Sequence, residues 1–315
     1  TFKPAVPLTL TELGLETTLM TGILLKTIFR RNLSDIVDIA EALSVSIPIA
    51  QELIDEIRAE GLIETLGARG ASTTSSLRYQ LTDTGRSRAL DALQQSEYYG
   101  SLPVPLADFW KQTERQKVKD VSIRREDLEN SLSHLVMPEG MLDQLGPAVN
   151  SGKSVLLFGP PGNGKSSISN GIRDALGDNI FLPRFLEYAG QVISLYDPII
   201  HTLAKTEEFD ANALRRLGPS FDQRYALCRR PSVMTGGELT LSMLDLIYNP
   251  VSRTYQAPLQ LKATGGVFIV DDLGRQAEPP QALINRWIVP MEQHFDILTL
   301  QSGQKFMVPF DTLVI

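Results

Sequence analysis

An apolar run at 154–158 leads straight into Gly159-Pro160-Pro161-Gly162-Asn163-Gly164-Lys165-Ser166-Ser167, a G-x-x-x-x-G-K-S loop. No other stretch restricts the chain so strongly. Glycines at these positions let backbone N–H groups turn inward around a phosphate, where a Cβ would collide. Lys165 can then reach the β- and γ-phosphates of a nucleotide, Ser166 can ligate Mg²⁺, and a helix starting near Lys165 aims its positive end at the anion. Residues 166–176 have the spacing of an amphipathic helix and are closed by Gly177, so the local order reads strand, loop, helix. A glycine-rich turn with a purely structural use is the competing reading, and the flanking strand and helix weigh against it.

The rest of the chain sets the frame for that loop. At 315 residues with 43% hydrophobic content, there is room for two domains and a sizeable core. Its apolar runs are too short to span a bilayer, and the N-terminus lacks the basic, apolar and small-residue order of a signal peptide. A cytoplasmic protein with no membrane insertion is the expectation. A single cysteine, Cys228, excludes an internal disulfide, and His134, His201 and His294 are too scattered to suggest a metal centre. The net charge of −7 argues against a broad nucleic-acid footprint.

Ahead of the loop, Leu15, Leu19, Ile23, Leu24 and Ile28 predict a helix over 11–31. Ser34 is placed to cap a second helix carrying Ile36, Ile39, Ala40 and Leu43, and a third, with Pro48 in its first turn, buries Ala50, Leu53, Ile54 and Ile57 before Gly61. Period-2 segments at 62–66 and 77–81 flank a polar tip at 67–76 and read as a hairpin. Thr82 then caps a fourth helix with Ala89, Leu90 and Leu93 inward. Three helices, a hairpin and a closing helix resemble a winged helix-turn-helix domain. Members of that family often place the third helix in the DNA major groove. Here that helix carries Gln51, Glu52, Asp55, Glu56 and Glu60 against Arg58 alone, and carboxylates repel phosphates. Arg69, Arg78, Arg86 and Arg88 on and behind the hairpin are the positive charge. Protein docking or self-association is favoured, and DNA contact through the wing stays open.

The Gly- and Pro-containing stretch at 98–105 marks a boundary. Helices are expected near 106–119, 124–135 and 138–149. Downstream, Gly265-Gly-Val-Phe-Ile-Val-Asp271-Asp272 reads as a buried strand ending in two acids about one hundred residues after the loop. Asp271 at the C-terminal end of such a strand would hold Mg²⁺ through water. Between the two motifs, 181–188 and 191–195 alternate around Ala189-Gly190 as a hairpin. Leu239, Met243, Leu244 and Ile247 recur at helical spacing within 236–248.

With both motifs in view, residues from about 120 onward resemble an AAA+ ATPase, closest to the MoxR-type chaperones and the bacterial enhancer-binding activators. Residues 263–275 are similar to the Ala-x-Gly-Gly-x-hydrophobic-Asp-Glu segment of those families. Residues 281–292 look like the helix that follows it, and 298–311 like the hairpin before the sensor 1 strand. The resemblance implies an α/β P-loop core with a parallel sheet, ATP and Mg²⁺ as ligands, and a ring oligomer. It implies an adenine contact at His134 to Pro138, an insertion at 236–248 that touches a remodelled partner, and a water-polarising role for Asp272. The family usually has glutamate there; the shorter aspartate means either a water closer to the backbone or slow hydrolysis. A plain apolar stripe packing on the core is the favoured reading of 236–248. Arg215, Arg216, Arg229 and Arg230 are candidates to serve a neighbouring subunit's nucleotide, against the simpler reading of a solvated face.

The combined expectation is a winged helix-turn-helix domain at 1–97, a linker at 98–119 and an AAA+ core at 120–315. The core is read as stopping before or within sensor 1, so that nucleotide binding survives better than hydrolysis. Lys165 and Asp272 are the expected catalytic residues, 159–167 the nucleotide cradle, and Ser166 and Asp271 the metal ligands. The expected activity is ATP hydrolysis that remodels or recruits an unidentified protein partner. An ATP-switched DNA-binding regulator is the alternative.

Overall fold

The computed structural model describes residues 2–66, 77–137, 140–157, 164–204 and 220–315. These form a mixed α/β protein with ten α-helices and a five-stranded, partly parallel sheet among its strands. The first unit contains α1 (Thr17–Arg31), α2 (Ile36–Leu43), α3 (Ile47–Ala59), the strands β1 (Ile63–Leu66) and β2 (Arg78–Leu81), and α4 (Asp83–Gln95). The strands pair antiparallel with Ile63 opposite Leu81; the tip at 67–76, with Arg69, lies outside the described residues. Apolar faces of α1, α2 and α3 close over Tyr79 and Leu81 in a single core.

Three local expectations need correcting. The first helix begins at Thr17, because Gly14 takes a left-handed φ of 67° after the short turn Thr11–Leu13. Asp35, rather than Ser34, caps α2 by accepting the Val37 N–H at 2.8 Å, while the Ser34 hydroxyl accepts from Arg78. Leu90 faces outward on α4, where Ala89 fills the core.

Residues 98–119, expected as a linker, are built into the fold. Leu102 is buried and its N–H donates to Leu43 O at 2.9 Å. Val104 and Pro105 form β3, the edge of a sheet ordered β3–β5–β6–β10–β9. Its other strands are β5 (Phe185–Tyr188), β6 (Gln191–Ser194), β10 (Thr254–Gln256) and β9 (Ile247–Asn249). The expected hairpin between β5 and β6 turns through Ala189 and Gly190, both at positive φ. Helix α5 (Leu106–Arg115) buries Phe109 beside Leu186, Ile193 and Phe306. A further antiparallel pair joins β4 (Asn179–Pro183) to β7 (Tyr225–Arg229). The hairpin β12 (Phe295–Thr299) and β13 (Lys305–Pro309) forms where 298–311 was read as one.

The second layer structure is built on β8 (Ser232–Thr235), β11 (Gly266–Val270) and β14 (Thr312–Val314), all parallel, with β11 in the middle. Val267, Ile269 and Leu313 face α6 (Arg125–Ser131), α7 (Met141–Asn150) and α8 (Lys165–Ala175). Phe268 and Val233 face the opposite side, where Leu283 and Trp287 of the helix Pro280–Gln293 (α10, after the short α9, Leu259–Lys262) complete a second core. Covered on both faces, β11 is apolar without alternation, as parallel strands are. Gly266 lets β11 start against β8: a Cβ there would lie 2.0 Å from Pro231 O.

Two expectations in this half also change. Residues 154–157 form no strand; one ladder bond, Val155 N–H to Val314 O at 2.9 Å, holds them beside β14, and Leu156 is exposed. The segment 236–248 packs on the core, as its favoured reading has it, but not as a helix. It makes a single 3₁₀ turn, Leu241–Leu244, and then pairs as β9 with β10. Leu244 O is taken by Gln260 and Arg286 side chains, and Leu239 and Leu244 are buried against Phe268, so tertiary partners override the helical period.

Polar contacts join the two units. Asp222 and Arg224 are paired at 2.8 Å with side chains only 5% and 3% exposed. The same guanidinium donates to Leu13 O at 3.3 Å and Pro103 O at 3.2 Å, and the Asp222 N–H donates to Pro4 O.

Candidate functional site

The site lies where the N-terminus of α8 meets the C-terminal ends of β8 and β11. Of the loop residues, Gly159, Pro160, Pro161, Gly162 and Asn163 lie outside the described residues. Gly164, at φ 72°, is the N-cap of α8, and Lys165, Ser166 and Ser167 form its first turn. That turn has N–H groups without intrahelical acceptors and carries the positive end of the helix dipole.

Ser166 meets the acidic strand here. Its Oγ donates to Asp271 Oδ2 at 2.8 Å, although the two residues are 105 positions apart. Asp271 is held by its own backbone: its N–H donates to Thr235 O at 2.8 Å, which continues the β8–β11 register past the end of the strand. Thr235, in turn, donates its hydroxyl to Ile269 O. A hydroxyl and a carboxylate side by side are hard oxygen ligands. Mg²⁺ favours such donors and takes one or two from protein, with water and phosphate oxygens for the rest. Among the described residues no group of three His, Cys, Asp or Glu side chains is placed to hold a metal ion by itself. A site of the Mg²⁺–phosphate kind does not need one.

Asp272 differs from its neighbour. Its φ is 50°, left-handed for a residue with a Cβ, a conformation that costs about 1–2 kcal/mol. Its carboxylate points into solvent and reaches Arg275 Nη1 at 3.3 Å, with the two side chains 52% and 76% exposed. At the end of β8, the Gly236 N–H donates to Glu238 Oε1 at 2.9 Å and keeps that carboxyl below the usual carboxylate range.

The remaining sequence candidates separate clearly. Leu135 and Met137 rest on the core shared with Ile168 and Ile172 of α8, while His134 and Val136 face outward; Pro138 lies outside the described residues. Arg230 is internal: its guanidinium serves Asp178, Gln116 O and Gly265 O, so neither a neighbour's nucleotide nor a solvated face describes it. Arg229 is exposed, and Arg215 and Arg216 lie outside the described residues. His201 is buried, accepting the Asp197 N–H at Nδ1 and donating from Nε2 to Lys262 O, with burial pushing its pKa down. The Cys228 thiol is buried and pushed up to about 11. Sequence reasoning missed Gln276, whose amide spans the acidic turn. A lone glutamine has no motif that would have drawn attention to it.

Among the described residues no helix is long and apolar enough to cross a membrane. No family model matches the chain, and no curated protein matches its sequence.

Proposed function

We propose that the chain is an ATP-binding, Mg²⁺-dependent ATPase of the AAA+ kind that acts on or is recruited to a protein partner. The observation that carries this reading is the 2.8 Å contact between Ser166 in the first turn of α8 and Asp271 at the end of β11. The G-x-x-x-x-G-K-S loop and the acidic strand were read as two halves of one nucleotide site, and this contact is what that reading requires. The order of segments also supports it: residues 154–157 lie beside β14, and β14 beside β11, with β14 following the 298–311 hairpin where the resemblance expects the sensor 1 strand.

Each group has a role that follows from its position. Gly164 starts α8 so that the first-turn N–H groups, which have no intrahelical acceptors, would turn towards a β-phosphate, and Lys165 in the same turn would serve the β/γ oxygens. Ser166 and Asp271 would hold Mg²⁺, which when bound would supply positive charge to the phosphoryl group in transfer. Asp272 is one residue beyond Asp271 and half-exposed, so its carboxylate can turn from Arg275 to accept a hydrogen bond from the attacking water. The first unit supports a protein partner. On α3, Asp55 is paired with Arg58 at 2.9 Å, while Glu52, Glu56 and Glu60 stay exposed, a face that repels a phosphate backbone.

Replacing Lys165 with Ala removes a charge-assisted contact to phosphate. Binding of a fluorescent ATP analogue should weaken about 10- to 100-fold, in line with about 1.5–3 kcal/mol for a hydrogen bond to a charged group. Equal titration curves for parent and variant would remove nucleotide binding at this loop from consideration.

A further inference from the structure

The turn that presents both acids is fastened from behind by one side chain. Gln276 is only 8% exposed. Its Nε2 lies 3.1 Å from Gly236 O, 3.3 Å from Asp271 O and 3.4 Å from Asp272 O, and its Oε1 accepts the Gly274 N–H at 2.8 Å. The amide can face only one way here. Turned over, it would set its oxygen against three carbonyls and its NH₂ against an N–H donor. Gln276 therefore ties the carbonyls of Asp271 and Asp272 to Gly236, the residue just past β8, and closes the turn through Gly274.

This turn is one that needs holding. Asp272 sits at φ 50° while glycine at 274 takes its φ of 110° without strain, and a strained residue such as Asp272 persists when its surroundings over-determine it. The bonds to Gln276, with Arg275 N–H to Asp272 O at 3.0 Å, are that surrounding. The other side of the turn is close as well: a Cβ on Gly237 would lie 3.4 Å from Arg275 O.

We infer that Gln276 is a positioning residue for the nucleotide site: it fixes the backbone of Asp271 and Asp272 relative to the end of β8 so that their carboxylates meet Mg²⁺ and the attacking water in register. The inference rests on the ATPase reading above. The bonds of Gln276 are all to backbone groups, so it acts through the two acids, as outer-shell partners of metal ligands do, where loss typically costs 10- to 100-fold in metal affinity or activity.

Two variants of the full chain test it. Gln276→Leu keeps the side chain's volume and removes all four bonds. Gln276→Glu keeps an acceptor for Gly274 and puts an oxygen against the three carbonyls. The first readout needs no nucleotide: the Gly274 amide should exchange with solvent at least tenfold faster in Gln276→Leu and stay protected in Gln276→Glu. The second is the affinity for a fluorescent ATP analogue, in EDTA and in Mg²⁺. Affinity in EDTA should stay within twofold of the parent, while the gain conferred by Mg²⁺ should fall about tenfold in both variants. An unchanged Mg²⁺ gain in both variants overturns the proposal and leaves the ATPase reading standing. So does an equal loss with and without Mg²⁺, which would mark Gln276 as a general structural residue. A parent chain that binds no nucleotide in either condition sinks the ATPase reading, and the proposal with it.

Discussion

The joint at Asp222 and the turn at Asp271 each place a carboxylate beside a side-chain partner, two positions away in the first case and 105 in the second, but they treat it in opposite ways. At the joint, both Asp222 oxygens accept from Arg224, and the two Nη1 protons of the guanidinium go to Leu13 O and Pro103 O. Neither side chain reaches water. At the turn, the Asp271 carboxylate accepts from one serine hydroxyl and from the Asp272 N–H, Asp272 meets one solvent-facing arginine across 3.3 Å, and the Asp272 backbone is left-handed. A saturated buried pair has nothing left to offer a ligand. It has already met its desolvation cost and serves to fix two units together. A half-exposed, under-coordinated pair on a strained backbone contributes little to folding and keeps its lone pairs free. The fold thus holds this buried pair away from the proposed site and leaves the weaker contacts at the C-terminal end of β11.

That contrast can be broken first at the joint. Arg224→Met strands a buried carboxylate and two carbonyls, and it should cost about 3–5 kcal/mol of folding free energy, read from urea denaturation. Nucleotide affinity of the folded protein should not change. If the loss is below 1 kcal/mol, the joint is not the fastening described here.

Asp311 sharpens the comparison, since it is buried without an ionic partner in contact. Its two oxygens share the Val118 N–H at 3.1 Å, and burial pushes its pKa up to about 7, against the pull of that N–H. The folded protein therefore holds this proton to higher pH than the unfolded chain, whose aspartates titrate near 4. Between these values the folded state binds more protons, so stability falls as pH rises from about 4 to 7 and levels off above. The fall should amount to a few kcal/mol, at about 1.4 kcal/mol per pH unit. In Asp311→Asn, which still accepts from Val118, denaturation at pH 5 and pH 8 should no longer show this component. An identical slope in the variant would assign it to other groups.

At the turn the expected change in stability is the smallest. Asp272→Asn alters an exposed side chain and should shift folding free energy by less than about 0.5 kcal/mol. It should spare nucleotide binding, yet lower ATP turnover about a hundredfold or more, as loss of a general base does. Normal turnover in this variant would show that the water is polarised by another group.

What the sequence revealed, and what it did not, follows the range of the forces involved. The start of α8 at Gly164, the acids after β11, the turn at Ala189-Gly190 and the hairpin ahead of β14 were legible because glycine requirements, caps and short periods are local. At 236–248 the packing on the core was legible and the local form was not: Leu239, Met243 and Leu244 fit a helical period, while partners on β11 and α10 leave only a 3₁₀ turn there. Ser34 and Asp35 are both good caps, and only the distant Arg78 decides between them. Arg224 reaches Leu13 across 211 positions. Gln276 acts through backbone carbonyls, which look the same in every residue type. Neither contact has a periodicity or spacing from which to infer it.

Strand β3 gives the connection between the units a mechanical character. Val104 and Pro105 pair in parallel with Leu186 and Glu187 at the sheet's rim, and α5 continues from them directly onto the same core. The chain therefore leaves the first unit as a rib of the second. A partner that grips the acidic face of α3 pulls on that rib without slack, and the load enters the body through a strand and a helix.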